Sequence, residues 1–544
     1  MVFLRTTKGS GALYKRKRVW QSAVMNLQRG GLLFWGGLAL VLTASAADAL
    51  RLVATGQDRR VDLRWDAPAG AAGFVVRRAT DVAGPFVRLH EGFYPERFFS
   101  DFLGTNGLTR FYRVEAWRGS TRVARSAPVR AETRAMSEEE LLTSVQAATF
   151  RYFWDYAHPV SGLARERTGS GDTCTSGGTG FGLMAMCVAV ERGFVSRREA
   201  AGRVARILRF LEEKATRYHG AWAHWIHGRT GATIPFSRYD DGGDLVETAY
   251  VAQALLTLRR FFTGDAPTER EIRERATRLW EGIEWDWYLQ RPERRWLLWH
   301  WSPRYGWKMN HRIGGHFNEC LITYLLAVAS PTHPIPAACY RTGWTGDPPS
   351  HYVNGHTYYG HRLAVGMPYG GPLFFTHYSF LGFDPRQWRD DFCNYADNNR
   401  TIALIHRDYC AANPKGFRGY SARLWGLTAS DTPGGYRAHS PTNDNGTIAP
   451  TAALASMPWT PEASRAALRE FYVEHGARLW GHCGFKDAFN LSRDWVARGH
   501  LAIDQGPIII MIENHRTGLC WRLFMANPEI PRALRRMGWR RETR

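Results

Sequence analysis

Beyond residue 133 the sequence repeats one arrangement: a junction rich in glycine, tryptophan and carboxylates, then an apolar run spaced for a helix. Ser137-Glu-Glu-Glu140 forms a capping box that opens a helix running to about Tyr156. Apolar residues at three- to four-residue spacing predict further helices over 180–191, 197–218, 245–263, 268–289, 319–329, 384–409, 446–456, 461–479 and 500–513. Strand patterns are few in this region, apart from short hairpins in the loops such as one around 221–236. A sandwich or a doubly wound sheet is therefore excluded for 133–544. The expected architecture is mainly α: a toroid whose inner helices are almost wholly apolar and whose loops make one working face.

The densest junction is Tyr239-Asp-Asp-Gly-Gly-Asp-Leu-Val-Glu-Thr-Ala249, which crowds Asp240, Asp241, Asp244 and Glu247 ahead of an apolar helix. Asp244 fits a helix N-cap and Glu247 the matching capping-box position, which is a purely structural reading. Similar junctions at 305–319, 430–446 and 499–507 favour a second reading, in which polar loops from several helices face one cavity. Cleaving a glycosidic bond needs a carboxylic acid to protonate the leaving oxygen and a carboxylate to attack or to activate water. Glu319, after Trp301-Ser-Pro-Arg-Tyr-Gly-Trp307 and at the start of an apolar helix, is the first candidate for the acid. Asp504 lies in Leu501-Ala-Ile-Asp-Gln-Gly-Pro-Ile-Ile-Ile-Met-Ile512, where an acid needs a partner or a purpose. It is a candidate base or a buried hydrogen-bond hub. Asp244 is the rival base, Glu247 is placed to orient either, and Asp444 in Asn443-Asp-Asn-Gly446 is either a third candidate or part of an ordinary turn. Trp301 and Trp307 offer faces for sugar rings. Arg229, Lys308, His311 and His439 are each candidate partners for sugar hydroxyls or structural hydrogen-bonding groups.

Residues 48–132 read differently. Val61–Trp65, Phe74–Arg77, Phe111–Trp117 and Arg122–Ala124 alternate as short strands between Gly, Pro and Asn turns, the pattern of a small β-sandwich. Before them, Gly31–Ala47 is apolar, follows Arg29 and ends in small residues, the pattern of a secretory signal peptide cleaved near Ala46 or Ala47. Met25 opens a more ordinary signal than Met1, which makes 1–24 a candidate mis-called start; the rival reading of the segment is an uncleaved anchor. Either way the chain is expected in the periplasm or outside the cell, touching a membrane only if the segment is retained. The formal net charge of +21 comes partly from the extreme N-terminus and accompanies no nucleic-acid motif. Eight scattered cysteines give neither CxxC nor finger spacing, so no metal is indicated, and acid–base cleavage requires no cofactor. The glycine cluster Gly177-Gly-Thr-Gly-Phe-Gly182 lacks a preceding strand and a Walker lysine, so close helix packing explains it better than phosphate binding. The chain is expected to act as a monomer on an oligosaccharide or polysaccharide.

Taken together, Gly177–Gly182, Asp241-Gly-Gly-Asp-Leu-Val-Glu247, Trp301-Ser-Pro303, Asn318-Glu319, Ser330–Pro334, Gly370–Phe375, Gly426–Asp431, His439–Gly446 and Ile503-Asp-Gln-Gly-Pro507 resemble, in order, the glycoamylase-like domain of glycoside hydrolase family 144, the endo-β-1,2-glucanases. The strand region 48–132 resembles a fibronectin type III domain, with Trp65 as the early core tryptophan and Tyr112 in a late strand. The main resemblance implies an (α/α)6 barrel of inverting hydrolases acting on β-1,2-linked glucose. It also implies essential acidic residues at Glu319, Asp244 and Asp504, with acid and base not distinguished among them. Arg312–His316 and Thr173-Cys-Thr175 depart from the usual pattern near the cavity. These departures keep two alternatives open: exo-acting release of disaccharide or glycosyl transfer, and a barrel that only binds carbohydrate.

Overall fold

The computed structural model describes residues 50–66, 68–289 and 295–542. The expected signal segment, 1–47, lies outside them, and among the described residues no helix is long and apolar enough to cross a membrane.

The first eight strands are β1 (Arg51–Gly56), β2 (Arg60–Asp66), β3 (Gly73–Ala79), β4 (Val87–Arg88), β5 (Phe98–Phe102), β6 (Thr109–Arg118), β7 (Thr121–Arg125) and β8 (Val129–Glu132). One antiparallel sheet runs β1-β2-β5 and the other β4-β3-β6-β7, with β8 also paired to β6. Alternation sends Leu63 and Trp65 from the first sheet, and Phe74, Val76, Tyr112 and Val114 from the second, into one shared core. Trp65 meets Phe74 edge-on at 5.4 Å.

Helices then take over: α1 (Glu138–Trp154), α2 (Ser176–Glu191), α3 (Arg197–Glu213), α4 (Leu245–Phe261), α5 (Pro267–Glu281), α6 (Leu321–Ala329), α7 (Tyr395–Ala412), α8 (Pro450–Leu454), α9 (Pro461–Arg469), α10 (Gly476–Leu479), α11 (Ala502–Arg516), α12 (Leu519–Met525) and α13 (Glu529–Arg536). The Ser137 capping box is present, with Ser137 and Glu140 exchanging hydrogen bonds. α2 packs against α4 and α11, α4 against α6, and α8 against α11, while α1, α3, α5, α7, α9 and α13 lie outside this ring. Residues of α2 are buried nearly throughout, as an inner helix requires. Two of its glycines let the inner helices touch: a Cβ on Gly177 would sit 2.5 Å from Glu247 Oε2, and one on Gly180 would sit 2.5 Å from the Tyr250 carbonyl.

Several expected boundaries move. The helix expected over 384–409 starts only at Tyr395, because Asn394 accepts the Ala396 and Asp397 N–H groups as its N-cap. The 268–289 helix stops at Glu281 and resumes as a 3-10 turn, Trp285–Tyr288. The 461–479 run breaks into α9, a π turn over Glu470–Glu474 and α10. Between α6 and α8 the ring is closed by two 3-10 turns, Leu373–Thr376 and Tyr378–Phe380, instead of a helix. Ser379 Oγ accepts the Ile322 N–H on one side, and the Thr376 carbonyl accepts from Trp459 on the other. The hairpin expected around 221–236 is formed by Trp225–His227 and Thr233–Ile234, with Thr173–Thr175 on the other side of Trp225–His227, while Ala221–Trp222 pairs separately with Arg217–Tyr218.

The sandwich is fixed to the barrel through Arg60, which is 1% exposed. Its guanidinium bonds Asp62 at 3.1 Å, Tyr472 Oη at 2.6 Å and Ser144 Oγ at 2.6 Å, and lies 4.3 Å from the Trp480 ring. All eight cysteines are buried and free.

Candidate active site

The inner helices bring their N-termini to one face, where unpaired N–H groups and helix dipoles favour carboxylates. Asp244 is the N-cap of α4, with Oδ1 accepting Val246 N–H at 3.0 Å and Glu247 N–H at 2.9 Å. Glu247 does not close the expected capping box. It reaches across to α2, accepting the Gly177 N–H at 2.7 Å and the Thr175 hydroxyl at 3.1 Å. The atypical Thr173-Cys-Thr175 stretch thus supplies one of the two hydrogen bonds that hold Glu247.

Two histidines complete this corner. His224 Nδ1 donates to Asp244 Oδ2 at 3.1 Å and lies 3.9 Å from Asp240 Oδ2. His300 Nε2 is 3.3 Å from Asp240 Oδ2 and 3.6 Å from Asp244 Oδ2. Burial pushes Asp244 up, but hydrogen bonds from the two imidazoles hold it well below the usual carboxylate range. Burial pushes Asp240 up to about 6 against the pull of His300. Burial would lower His224, yet Glu247 and then Asp244 raise it to about 9. His224, Asp240 and Asp244 also present three ligand atoms within 4.8 Å of one another, a donor set able to hold a metal ion.

Glu319 precedes α6, where Asn318 Oδ1 accepts the Cys320 N–H at 2.9 Å. Its Oε2 is buried without a donor, and the hydrogen bonds that favour its charged form come from its own backbone N–H and the Cys320 thiol. Burial, with Glu247 adding to it, raises Glu319 to about 7. A carboxyl in that state keeps its proton up to near neutrality and is suited to give it away. Across the barrel floor, Tyr378 feels Asp504, Glu319 and Glu247, which raise its phenol after burial has done so. The acids of α4, α6 and α11 therefore surround one group of aromatic rings, with Tyr250 5.7 Å from Tyr378.

Asp504, in the first turn of α11, faces Asp487. Asp504 Oδ2 and Asp487 Oδ1 are both buried without another donor. Burial and the Asp487 charge raise Asp504 well above its ordinary value, and burial raises Asp487 to about 7. Two facing carboxyls cannot both ionise, so the pair holds a shared proton. Asp487 Oδ2 accepts the Asp431 N–H at 2.6 Å, and Arg167 ties Asp431 at 2.9 Å to Glu166 at 2.8 Å.

The remaining sequence candidates divide. Trp301 is half-buried, its backbone paired with Gly243 and its ring 5.9 Å from Tyr218. Trp307 packs on Tyr288 at 5.5 Å. His311 stacks on Trp299 at 4.9 Å and lies 5.8 Å from His300, and burial lowers it to about 4. Arg229 is exposed beside His227 and Asp172, away from these acids. His439 is not available to a sugar, because it is buried and both ring nitrogens face backbone carbonyls, of Arg437 at 3.2 Å and Thr447 at 3.0 Å. Asp444 is a structural hub: it accepts the Tyr409 and Tyr420 hydroxyls at 3.0 and 2.8 Å and the Gly446 N–H at 2.9 Å. The sequence reading missed His224, His300 and Asp487 as partners of the acids. Only His300 carried a signal, as the residue before Trp301-Ser-Pro303.

Comparison with known proteins gives a consistent picture. A family model described as Glycoamylase matches residues 310–528. The exo β-1,2-glucooligosaccharide sophorohydrolase (non-reducing end) of Parabacteroides distasonis is 44% identical over 459 residues, covering 81% of this chain; the chain spans 63% of that protein's length. The crystal structure of a β-1,2-glucanase from Parabacteroides distasonis superposes with a TM-score of 0.86 at 41% identity, over 91% of this chain and 73% of that one. An endo-β-1,2-glucanase from Chitinophaga pinensis, solved with sophorotriose and glucose, superposes with a TM-score of 0.72 at 45% identity, over 75% of this chain and 99% of that one.

Proposed function

This chain belongs to the glycoamylase-like family, and on that premise we propose that it is a glycoside hydrolase releasing disaccharide from the ends of β-1,2-glucan chains. One observation carries the exo reading. The Parabacteroides distasonis sophorohydrolase, an exo-acting enzyme of the non-reducing end, is 44% identical over 459 residues, and that likeness covers 81% of this chain. The likeness to the Chitinophaga pinensis endo-enzyme covers 75%.

In this reading Glu319 protonates the leaving oxygen, since it holds its proton up to about pH 7. Asp504, once its shared proton moves to Asp487, accepts a proton from the attacking water on the opposite side of the sugar, which gives inversion. Asp244 and Glu247, each fixed by backbone N–H groups, shape the corner beside Glu319. Trp301 and Trp307 flank the substrate. The chain works outside the cytoplasm, exported by its N-terminal segment, as a monomer.

The test follows product length and anomeric form by NMR during digestion of linear β-1,2-glucan. Disaccharide alone from the earliest time point, appearing first as the α-anomer, is the expected result. An early ladder of mixed lengths would restore the endo reading, and no product at all would remove the substrate assignment.

A further inference from the structure

The corner formed by Asp240, Asp244, His224 and His300 contains more ligand than its own hydrogen bonds use. We infer that these four side chains form a binding site for one divalent transition-metal ion of the zinc class.

The geometry is the first ground. The four measured edges between imidazole nitrogens and carboxylate oxygens are 3.1, 3.3, 3.6 and 3.9 Å. A tetrahedral ion with bonds of about 2.0–2.1 Å needs ligand atoms about 3.3–3.4 Å apart. Shifts of about half an ångström or less in His224 and His300 bring these edges into that range. Two imidazoles and two carboxylates are a donor set for zinc, cobalt or manganese, whereas calcium and magnesium take oxygen alone.

Unmet demand is the second ground. Asp240 is 3% exposed, and its Oδ1 has no donor among the described residues. Asp244 has given Oδ1 to the helix cap, which leaves Oδ2 as the only ligand atom it can offer. Asp240, Asp241, Asp244 and Glu247 bring four carboxylates into one corner, where the Arg304 guanidinium reaches only Asp241, at 3.9 Å. A divalent ion bound by two carboxylates is charge-neutral and removes that imbalance.

The third ground is rigidity and access. Asp244 and His300 are direct cross-strand partners in the pairing of Gly243–Asp244 with His300–Trp301. The His300 ring is clamped in a stack against Trp299 at 5.5 Å. His224 is 25% exposed, with Phe236 stacked on it at 4.2 Å, so an ion can reach the site from the solvent side. Bound there, it would lock the start of α4, and with it Glu247, against the strand that carries Trp301.

The experiment uses the full chain stripped with a chelator, and it requires no glucan, so it stands apart from the substrate reading. Zinc chloride is titrated calorimetrically, and cobalt chloride is followed by visible absorption. One equivalent bound, with the intense visible band of four-coordinate cobalt, is the expected result. Asp240→Asn and His300→Gln, each checked for folding by circular dichroism, should weaken binding by at least about 10–100-fold, the loss caused even by an outer-shell partner. No stoichiometric binding by the wild type, a six-coordinate cobalt spectrum, or binding unchanged in both folded variants would overturn the site.

Discussion

Glu319→Gln tests the proposed acid through two independent readouts. The neutral amide keeps the shape of the carboxylic acid but cannot give up a proton. If Glu319 is the general acid, turnover of β-1,2-glucan should fall by about 10²–10⁴-fold. Stability should move the other way, and only at high pH. Burial raises Glu319 from 4.5 in the unfolded chain to about 7 in the fold. Below pH about 4.5 both states carry the proton, and the carboxyl costs the fold nothing. Between those values the unfolded chain releases its proton first, so the wild type loses stability as pH rises through the folded value. At about 1.4 kcal/mol per pH unit, the penalty above pH 7 is at most about 3–4 kcal/mol. Glutamine never ionises and escapes it. Thermal melts of both proteins between about pH 5 and pH 8 should therefore diverge, the variant gaining a few degrees at the alkaline end. Any constant effect of the amide cancels, because only the change of the difference with pH is read. A flat difference would refute the buried-acid argument. Retention of more than a tenth of the activity would refute the catalytic one.

Three further outcomes follow from the same geometry. Asp487→Asn keeps an acceptor for the Asp431 N–H but removes the charge that raises Asp504, so the acid limb of the pH–activity profile should shift to lower pH; an unmoved limb would mean that Asp504 is not the base. Arg60→Met leaves the buried Asp62 with Arg151 at 3.0 Å as its remaining cation, beside the Ser100 hydroxyl, and should cost about 3–5 kcal/mol, read as a lower melting temperature and faster proteolysis in the 132–137 connection. Asp444→Ala strands two tyrosine hydroxyls and one N–H, and should cost about 2–4 kcal/mol while leaving low-temperature turnover near wild type; an inactive but fully folded variant would return Asp444 to the site.

Local chemistry made much of the fold legible. Ser137 and Glu140 sit three residues apart and form the capping box that their spacing announces. The glycines of Gly177–Gly182 serve close packing, Gly180 against the Tyr250 backbone and Gly177, Gly178 and Gly182 against the Glu247, Ala502 and Phe153 side chains, as a glycine run without a Walker lysine implies. The failures are equally physical. Asn394 overrides the apolar pattern that pointed to a longer helix, because a side chain bonding two free N–H groups fixes where a helix begins. The 3-10 turns over Leu373–Thr376 and Tyr378–Phe380 stand where a sixth inner helix would, held by hydrogen bonds to residues far along the chain. Periodicity has no access to those partners.

The same distinction explains what could be read of the site. A carboxylate at the head of an apolar helix is visible in one dimension, and Asp244, Glu247, Glu319 and Asp504 all occupy that position. What each of them can do chemically depends on a partner contributed by a different element. Asp244 is held ionised by His224 and His300, whereas Glu319 has no cation and keeps its proton. Asp504 faces Asp487, which lies in Phe485-Lys-Asp-Ala-Phe489, a stretch with no helical start and no glycine junction to mark it. Three acids with the same sequence context, Asp244, Glu319 and Asp504, thus acquire three different proton affinities from their neighbours. The positions follow from helix capping, and the division of labour follows from tertiary contacts. Exchanging charges at the partners should therefore redistribute function among the acids without moving a helix.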